Sequence, residues 1–394
     1  MAKVGYYKLH LDIDKSDDWM ILIDESIQVG SQKFLVILGC REIDLPRGRA
    51  LKLEDLTPLH AVVQTKSDAD SVLKALEAVK LRVGSIKGIC SDECSNLVNA
   101  VNLFKIDNAE VVHIPDIVHK LANMLRKQLE GEAEWELFIK SVNTAKAKMY
   151  NTPIACLAPP ALRGKSRFLN LDVLADWASK TLHILKTEGS LKDYDPEYIE
   201  KHLGWLRKFE EPLTYYTNLV ELACIARNLV RENGVHRYIG DDFAVEFENA
   251  SPKEGWDVAT CEVADQIYRF LEEQGNKIEK GRVLLGSSEV IETFFGKYKS
   301  MQGNQTKAGF SGLVLAGLAH VGKIDRSIVQ EALETSTHAQ VNDWIEKYVG
   351  VTVHAKRCKI FKKPNKCIKL IFQKISSYMG QKLTGTIEGE AMGF

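Results

Sequence analysis

Two continuous apolar runs dominate the pattern of hydrophobic and polar positions near the start of the chain. They occupy residues 19–23 (WMILI) and 33–39 (KFLVILG), with Gly30 between them. An uninterrupted apolar run of this length is typical of a strand buried on both faces. The glycine between the runs predicts that they form a hairpin. Further short apolar segments predict strands at residues 60–65, 86–90 and 111–114.

Helices are predicted after each of the last three strands. Asp68 is placed to cap a helix with apolar residues at the helical period, and Gly84 ends that pattern. A short helix is predicted after Asp92 and a long one after residues 115–116. Three strands, helix, strand, helix, strand, helix is the order of a ribonuclease H-like mixed sheet flanked by helices. The alternative, a doubly wound nucleotide-binding domain, would normally start with a strand–helix–strand unit.

The chain changes character at about residue 150. Apolar stripes at the helical period predict an all-helical insertion domain over residues 151–280, which interrupts the α/β domain. Residues 1–150 are then its first part, residues 281–350 the rest of it, and residues 351–394 a basic C-terminal segment. The tryptophans of the insertion, Trp177, Trp205 and Trp256, are interpreted either as core residues or as platforms for DNA bases.

Composition excludes several classes of protein. With 394 residues the chain has room for two or three domains. Its 45% hydrophobic and 27% charged residues are those of a globular protein, not of a disordered or fibrous one. The apolar runs are far shorter than the ~20 residues of a membrane span, and the N-terminus has no signal-peptide pattern. Eight cysteines are too few for a disulfide scaffold, so no structural zinc and a reducing, cytoplasmic location are expected. The net charge of −1 gives no hint of nucleic acid.

Three carboxylates occupy positions that suggest metal chemistry. Asp24 directly follows the first apolar run, and Asp92 lies at the end of the fourth predicted strand. If these strands are neighbours, the two carboxylates repel each other unless a divalent cation lies between them. Mg²⁺ or Mn²⁺, as a pair of ions, suits such a site in phosphodiester cleavage. Glu292, in a predicted helix that follows residues 286–288 (GSS), is the expected third ligand.

Each acid also has a structural interpretation. Asp92 could be a turn or helix cap, and Glu292 could complement the helix dipole. Asp24 is harder to explain in this way because it extends a buried run. Glu289, one turn before Glu292, is the alternative third ligand. We favour Glu292 because Lys299 lies seven residues on, close to two helical turns, where it could contact a DNA phosphate.

With these residues in place, the sequence resembles the DDE transposases, the ribonuclease H-like recombinases of insertion sequences and hAT-type elements. Residues 19–26 (WMILIDES) resemble the strand with the first catalytic Asp, and residues 88–98 (GICSDECSNLV) the segment with the second. Residues 116–121 (DIVHKL) resemble a (Cys/Asp)-x-x-His motif. Residues 288–299 (SEVIETFFGKYK) resemble the helix with the catalytic Glu and a Lys seven residues on.

The resemblance covers roughly residues 17–120 and 280–305, and the helical block between them corresponds to the insertion that such enzymes carry. It implies that Asp24, Asp92 and Glu292 are the catalytic, metal-binding acids. It implies auxiliary roles for Asp116 and His119, although Asp116 could also be a helix N-cap. The residues expected to contact DNA phosphates are Lys297, Lys299, Lys356, Arg357, Lys359, Lys362 and Lys363, of which the C-terminal ones could equally be a solvated tail.

The function expected from the resemblance is that of a DNA transposase catalytic region, which cleaves and joins DNA strands. Its partners would be transposon-end and target DNA and further copies of the chain, as a dimer or larger assembly, in the cytoplasm or at a bacterial nucleoid. One departure concerns end recognition: the first predicted strand begins at Trp19, which leaves no room before it for a helix-turn-helix domain. The alternatives are an inactive, transposase-derived binding module and a ribonuclease H-like nuclease that cuts without joining.

Overall fold

The structure is a computed structural model. It describes residues 1–29, 32–65, 67–162, 170–187, 194–253, 255–303, 312–351 and 353–361, without the side chains of residues 27–29, 302–303 and 353–356.

A five-stranded mixed sheet lies at the centre of the described part of the chain. Its strands are β1 (Ser16–Val29), β2 (Gln32–Arg41), β3 (Thr57–Gln64), β4 (Gly84–Ser91) and β5 (Val112–Pro115). Their order is β3-β2-β1-β4-β5, with β1, β2 and β3 antiparallel and with β4 and β5 parallel to β1. A meander of three strands followed by two crossover strands beside β1 is the ribonuclease H-like fold. The predicted fold class is therefore confirmed.

Helices surround this sheet. In chain order they are α1 (Ala2–His10), α2 (Ala69–Val83), α3 (Ser95–Ile106), α4 (Ile117–Leu129), α5 (Ala133–Met149), α6 (Leu171–Lys186), α7 (Pro196–Leu203), α8 (Glu210–Asn233), α9 (Ile239–Asn249), α10 (Val258–Asn276), α11 (Glu289–Gly303), α12 (Leu313–Leu318), α13 (Arg326–Thr335), α14 (His338–Tyr348) and α15 (Val353–Phe361). Within the described ranges, none of these helices is long and apolar enough to span a membrane.

One face of the sheet packs on α2 and α3 around a smaller core. Ile21 and Ile23 of β1 point to this face. The helix α2 begins where predicted, because Asp68 accepts a hydrogen bond from the backbone of Ser71 at 3.0 Å. It ends at Gly84, which has a φ of 97°. A Cβ there would lie 2.6 Å from the carbonyl oxygen of Ser16, so both the conformation and the space require glycine.

The other face carries the larger core. Met20 and Leu22, which alternate with the residues above, point into it together with buried residues of α4, α8 and α11. The described elements between residues 151 and 280 are helices and 3-10 turns, apart from the two-residue strand β6 (Val235–His236). That strand pairs with β7 (Val283–Leu284) outside the central sheet. The helical block thus adds no described strand to the central sheet but shares its core, and the domain boundaries stay predictions.

The strand β1 and the helix α1 differ from the sequence prediction. The strand β1 continues to Val29, so Asp24 lies inside the strand and not at its end. The reason is the hairpin, which keeps Asp24 paired with Val36 beyond the apolar run. The helix α1 was not predicted, because it is short and its buried residues are few. Gly5 and Lys8 are among those buried residues.

Candidate active site

Asp24 lies in β1, and Asp92 directly follows β4, the strand that is parallel to β1. In the parallel pairing of β1 with β4, Leu22 is the partner of Cys90, and both face the larger core. The pairing continues as far as Ser91. Asp24 lies two residues beyond Leu22 in β1, so alternation along the strand directs it to the face of the larger core. Asp92 directly follows Ser91, the last residue of β4, and Nδ1 of His119 in α4 lies 3.9 Å from its Oδ1. Because neighbouring strands are about 4.8 Å apart, the backbone segments that carry the two aspartates are close to each other near the end of β4.

The helix α11 crosses this face. The Oδ2 atom of Asp116, which follows β5, accepts hydrogen bonds from the backbone N–H of Ser288 at 3.3 Å and from its hydroxyl. Further along the helix, Phe294 and Phe295 each pack on Phe34 of β2 with ring centroids 6.0 Å apart. The helix therefore begins beyond the end of β5 and passes over β4 and β1 towards β2.

Glu292 lies on α11 between these two anchors and is exposed. Among the residues that the structure describes, no group of three or more His, Cys, Asp or Glu side chains is arranged to hold a metal ion. The structure thus brings the elements that carry Asp24, Asp92 and Glu292 together on one face of the sheet. That the three carboxylates share metal ions stays a prediction.

Glu289, the alternative third ligand, is engaged by the helical block. Its Oε2 lies 3.3 Å from Nε of Arg231, in the last turn of α8. Both residues line a small cavity of about 70 Å³, together with Ser287 and Thr293. At 100° per residue, side chains three positions apart on a helix point about 60° apart. Glu289 and Glu292 therefore present their carboxylates in different directions, and Glu289 is directed to α8.

Asp116 and His119, predicted as auxiliary residues, have different surroundings. Asp116 is 1% exposed and caps α4 by accepting a hydrogen bond from the backbone N–H of His119 at 3.0 Å. With its bonds to Ser288, this carboxylate joins the first turns of α4 and α11. The imidazole of His119 turns to Asp92, with Nδ1 3.9 Å from Oδ1. Asp116 thus has the structural role of a helix cap, and His119 is the member of the pair that lies beside the candidate site.

Basic residues expected to contact DNA are exposed where their side chains are described. Lys297 and Lys299 are exposed on α11. Burial, followed by the positive charge of Lys297, lowers the pKa of His320. On α15, Arg357 and Lys359 are exposed, the side chain of Lys356 is not described, and Lys362 and Lys363 lie outside the described residues.

The tryptophans of the helical block have partners within the protein. The indole N–H of Trp177 donates to the carbonyl of Leu157 at 3.1 Å, and that of Trp256 donates to the carbonyl of Phe247 at 3.1 Å. Trp205 packs beside Trp177 with ring centroids 6.4 Å apart. These contacts favour the interpretation as core residues.

A buried serine next to Asp92 in sequence and a half-buried histidine that contacts it were missed from the sequence. The Oγ of Ser91 lies 2.9 Å from Nε2 of His113 in β5, next to the carboxyl end of β4. Burial, followed by the charges of Lys105 and Lys277, lowers the pKa of His113 to about 4, so the ring is neutral at pH 7. A serine that interrupts an apolar strand directly before an aspartate was the available signal.

Comparison with known proteins gives one named structural neighbour. No protein-family model matches the sequence, and no curated protein is significantly similar to it. Among solved structures, the chain is similar to the Drosophila P element transposase strand transfer complex at 13% identity and a TM-score of 0.38, over 86% of this chain and 81% of that one. Both measures are low, and the fold assignment rests on the strand order and register given above.

Proposed function

We propose that this chain is the catalytic region of a DNA transposase, which cuts and joins DNA strands by in-line attack on phosphodiesters. Asp24, Asp92 and Glu292 are the proposed metal-binding acids. The observation that carries the proposal is that β1, which contains Asp24, lies parallel to β4, which Asp92 directly follows, and that α11 crosses the same face of the sheet. DNA is the proposed substrate, and the joined product would require transposon-end and target strands at the same site.

The donor set fits Mg²⁺ or Mn²⁺. Mg²⁺ is usually bound through one or two carboxylates, with water and substrate phosphate oxygens in its other positions. Asp24 of β1 and Asp92, directly after β4, would supply those carboxylates. When bound, a pair of such ions would activate the attacking oxygen and stabilise the leaving oxygen. The backbone N–H of Glu25 donates to Oδ1 of Asp24 at 2.6 Å, which fixes the orientation of that carboxylate.

The remaining side chains of the site bind and orient the DNA strand in this proposal. Glu292 is favoured over Glu289 as third acid because Arg231 engages Glu289. Lys299 is two turns after Glu292 on α11 and is exposed, so it can contact a phosphate beside the one that reacts. His119 lies within 4 Å of Asp92, where its imidazole can contact the same phosphate or orient that carboxylate.

A nicking assay with supercoiled plasmid tests the chemistry, because nicking does not require the transposon ends to be known. Wild-type protein should nick the plasmid with Mg²⁺ or Mn²⁺ and not with EDTA. Asp24→Asn keeps the size of the side chain but removes its charge, and we expect at least a 100-fold lower rate with an unchanged fold. The matched control is Asp17→Asn, an exposed aspartate of the same strand.

Two results would contradict the proposal. Undiminished nicking by Asp24→Asn would show that the carboxylate takes no part in the reaction. Unfolding of that variant, with Asp17→Asn stable, would assign Asp24 a structural role. Joining is tested separately, by incubating a labelled oligonucleotide that has a free 3′-OH with the plasmid. Nicking without transfer of the label would favour the nuclease alternative.

A further inference from the structure

A buried polar cluster lies directly behind the candidate site. Glu25 follows Asp24 in β1, so it points to the opposite face of the sheet, and its side chain is only 6% exposed. Its Oε2 accepts hydrogen bonds from Nζ of Lys33 and from Nδ2 of Asn96, both at 3.0 Å. Its Oε1 accepts a hydrogen bond from the hydroxyl of Ser67. The carboxylate is thus surrounded by donors from three separate parts of the chain.

Asn96 connects this cluster to the segment that carries Asp92. It lies in the first turn of α3, four residues after Asp92. The Nδ2 group donates to Ser67 Oγ at 2.9 Å in addition to Glu25, and Oδ1 accepts from the thiol of Cys94 at 2.8 Å. One amide therefore ties the loop between β4 and α3 to the residue next to Asp24.

Glu25 has a different role from its neighbour Asp24, because a lysine pairs with the carboxylate of Glu25. Lys33 neutralises the carboxylate and lies on the face opposite Asp24, so Glu25 is not available as a ligand on the face that α11 crosses. Its hydrogen bonds to α3 set how closely the segment after β4 approaches β1. The separation of Asp24 and Asp92 depends on this distance, and a shared cation tolerates little variation in it.

We propose that Glu25 and Asn96 are positioning residues that hold Asp92 at metal-binding distance from Asp24. This inference rests on the proposed function. Partners of metal ligands that are not ligands themselves typically change metal affinity or activity by 10- to 100-fold when they are mutated. We therefore expect mutation of Glu25 or Asn96 to change the affinity for the metal ion rather than the free energy of unfolding.

The test measures Mn²⁺ binding by calorimetry, together with thermal melting. Asn96→Asp places a carboxylate against Glu25, and their repulsion should move the loop away and raise the Kd for Mn²⁺ about tenfold. Added negative charge alone would lower this Kd, so charge cannot account for a rise. Asn99→Asp is the matched control, which adds the same charge at an exposed position of the same helix, and it should not raise the Kd.

A second variant exchanges the two groups. Glu25→Gln combined with Asn96→Asp again pairs one amide with one carboxylate, and we expect it to return the Kd to within about threefold of wild type. The binding assigned to the site is the part that Asp24→Asn removes. The positioning role is wrong if Asn96→Asp lowers the melting temperature without changing the Kd. It is also wrong if the double variant does not restore the wild-type Kd. In both cases the proposed function stands. If wild-type protein neither binds Mn²⁺ nor nicks DNA, the proposed function itself is wrong.

Discussion

Lys299 offers the most direct test, at the scale of a single residue, of how α11 would contact DNA. It is exposed on α11, two turns after Glu292. A lysine that contacts a phosphate contributes affinity that is independent of sequence and depends on salt. We expect Lys299→Ala to weaken duplex binding and to reduce the slope of log K against log salt by about 1, with Mn²⁺ binding unchanged.

Fluorescence anisotropy at several salt concentrations measures this slope. The control is Lys74→Ala, an exposed lysine of α2 on the opposite face of the sheet. Equal loss of affinity in both variants would mean that α11 has no special role in binding. Loss of Mn²⁺ binding in Lys299→Ala would mean that the lysine supports the metal site instead of a phosphate.

His60 makes the stability of the protein depend on pH. Burial, with a smaller contribution from the charge of Arg82, lowers the pKa of His60 from 6.5 to about 4. Between pH 4 and pH 6.5, His60 is therefore protonated in the unfolded chain but neutral in the folded chain. The stability contribution is complete above pH 6.5 and is lost as the pH falls towards 4. Between pH 7.5 and 5.0 the loss is about 2 kcal/mol at most.

Urea unfolding at both pH values checks this effect. His60→Gln cannot titrate, so its unfolding free energy should fall less than that of wild type over the same pH range. His183→Gln replaces an exposed histidine of α6 and should keep the wild-type pH dependence. Identical pH dependence in all three proteins would exclude the imidazole of His60 as a source of the pH-dependent stability.

At the scale of an element, α1 is held in place by close approach to α12. A Cβ on Gly5 would overlap the carbonyl oxygen of Leu315. Alanine favours a helix over glycine by about 1 kcal/mol, but at this position the overlap dominates. We expect Gly5→Ala to lower the unfolding free energy by about 1–3 kcal/mol. In α11, a Cβ on Gly296 would meet no atom within 4 Å, so Gly296→Ala should stabilise by about 0.5–1 kcal/mol.

Denaturant unfolding of the two alanine variants gives the comparison directly. Opposite signs for the same substitution in two helices would follow from packing alone, since the change in helix propensity is the same. A stabilised Gly5→Ala variant would mean that α1 does not pack against α12 as described.

The elements that sequence could predict are those whose signal is local. The strands of the sheet have continuous apolar runs, and α2 has both its Asp68 cap and its glycine end, so order and type were predictable. The end of β1 was not predictable, because pairing with β2 extends the strand past the apolar run to Asp24 and beyond. The helix α1 was missed because it is short and has few buried residues, and one of these is the polar Lys8, which donates to three carbonyl oxygens of residues 319–322.

The candidate site also contains residues that the sequence could predict and contacts that it could not. Asp24 and Asp92 could be selected from sequence because Asp24 directly follows an apolar run and Asp92 lies at the end of a predicted strand. The engagement of Glu289 by Arg231 and the bonds of Asn96 to Glu25 could not be predicted, because they join residues 58 and 71 positions apart, which approach only in the folded chain. A local pattern carries no information about such partners.

At the scale of the whole molecule, the helical block and the sheet are joined through α4. Ile117 and Leu121 of α4 are completely buried in the larger core, which also includes Leu22 of β1 and Leu219 of α8. Fusion of the two regions into one core has a thermodynamic consequence. A core shared in this way couples the unfolding of its parts, whereas two separate domains would unfold independently.

Leu219→Ala tests this coupling from the side of the helical block. The removed side chain is 0% exposed, and a cavity there should lower the unfolding free energy by about 2–5 kcal/mol. If the core is continuous, native-state hydrogen exchange should show that the amides of β1 lose as much protection as those of α8. Glu221→Ala, an exposed position of α8, should change neither. Protection of β1 that stays at the wild-type level while α8 loses it would show two independent units, and the predicted insertion domain would then be separable from the sheet.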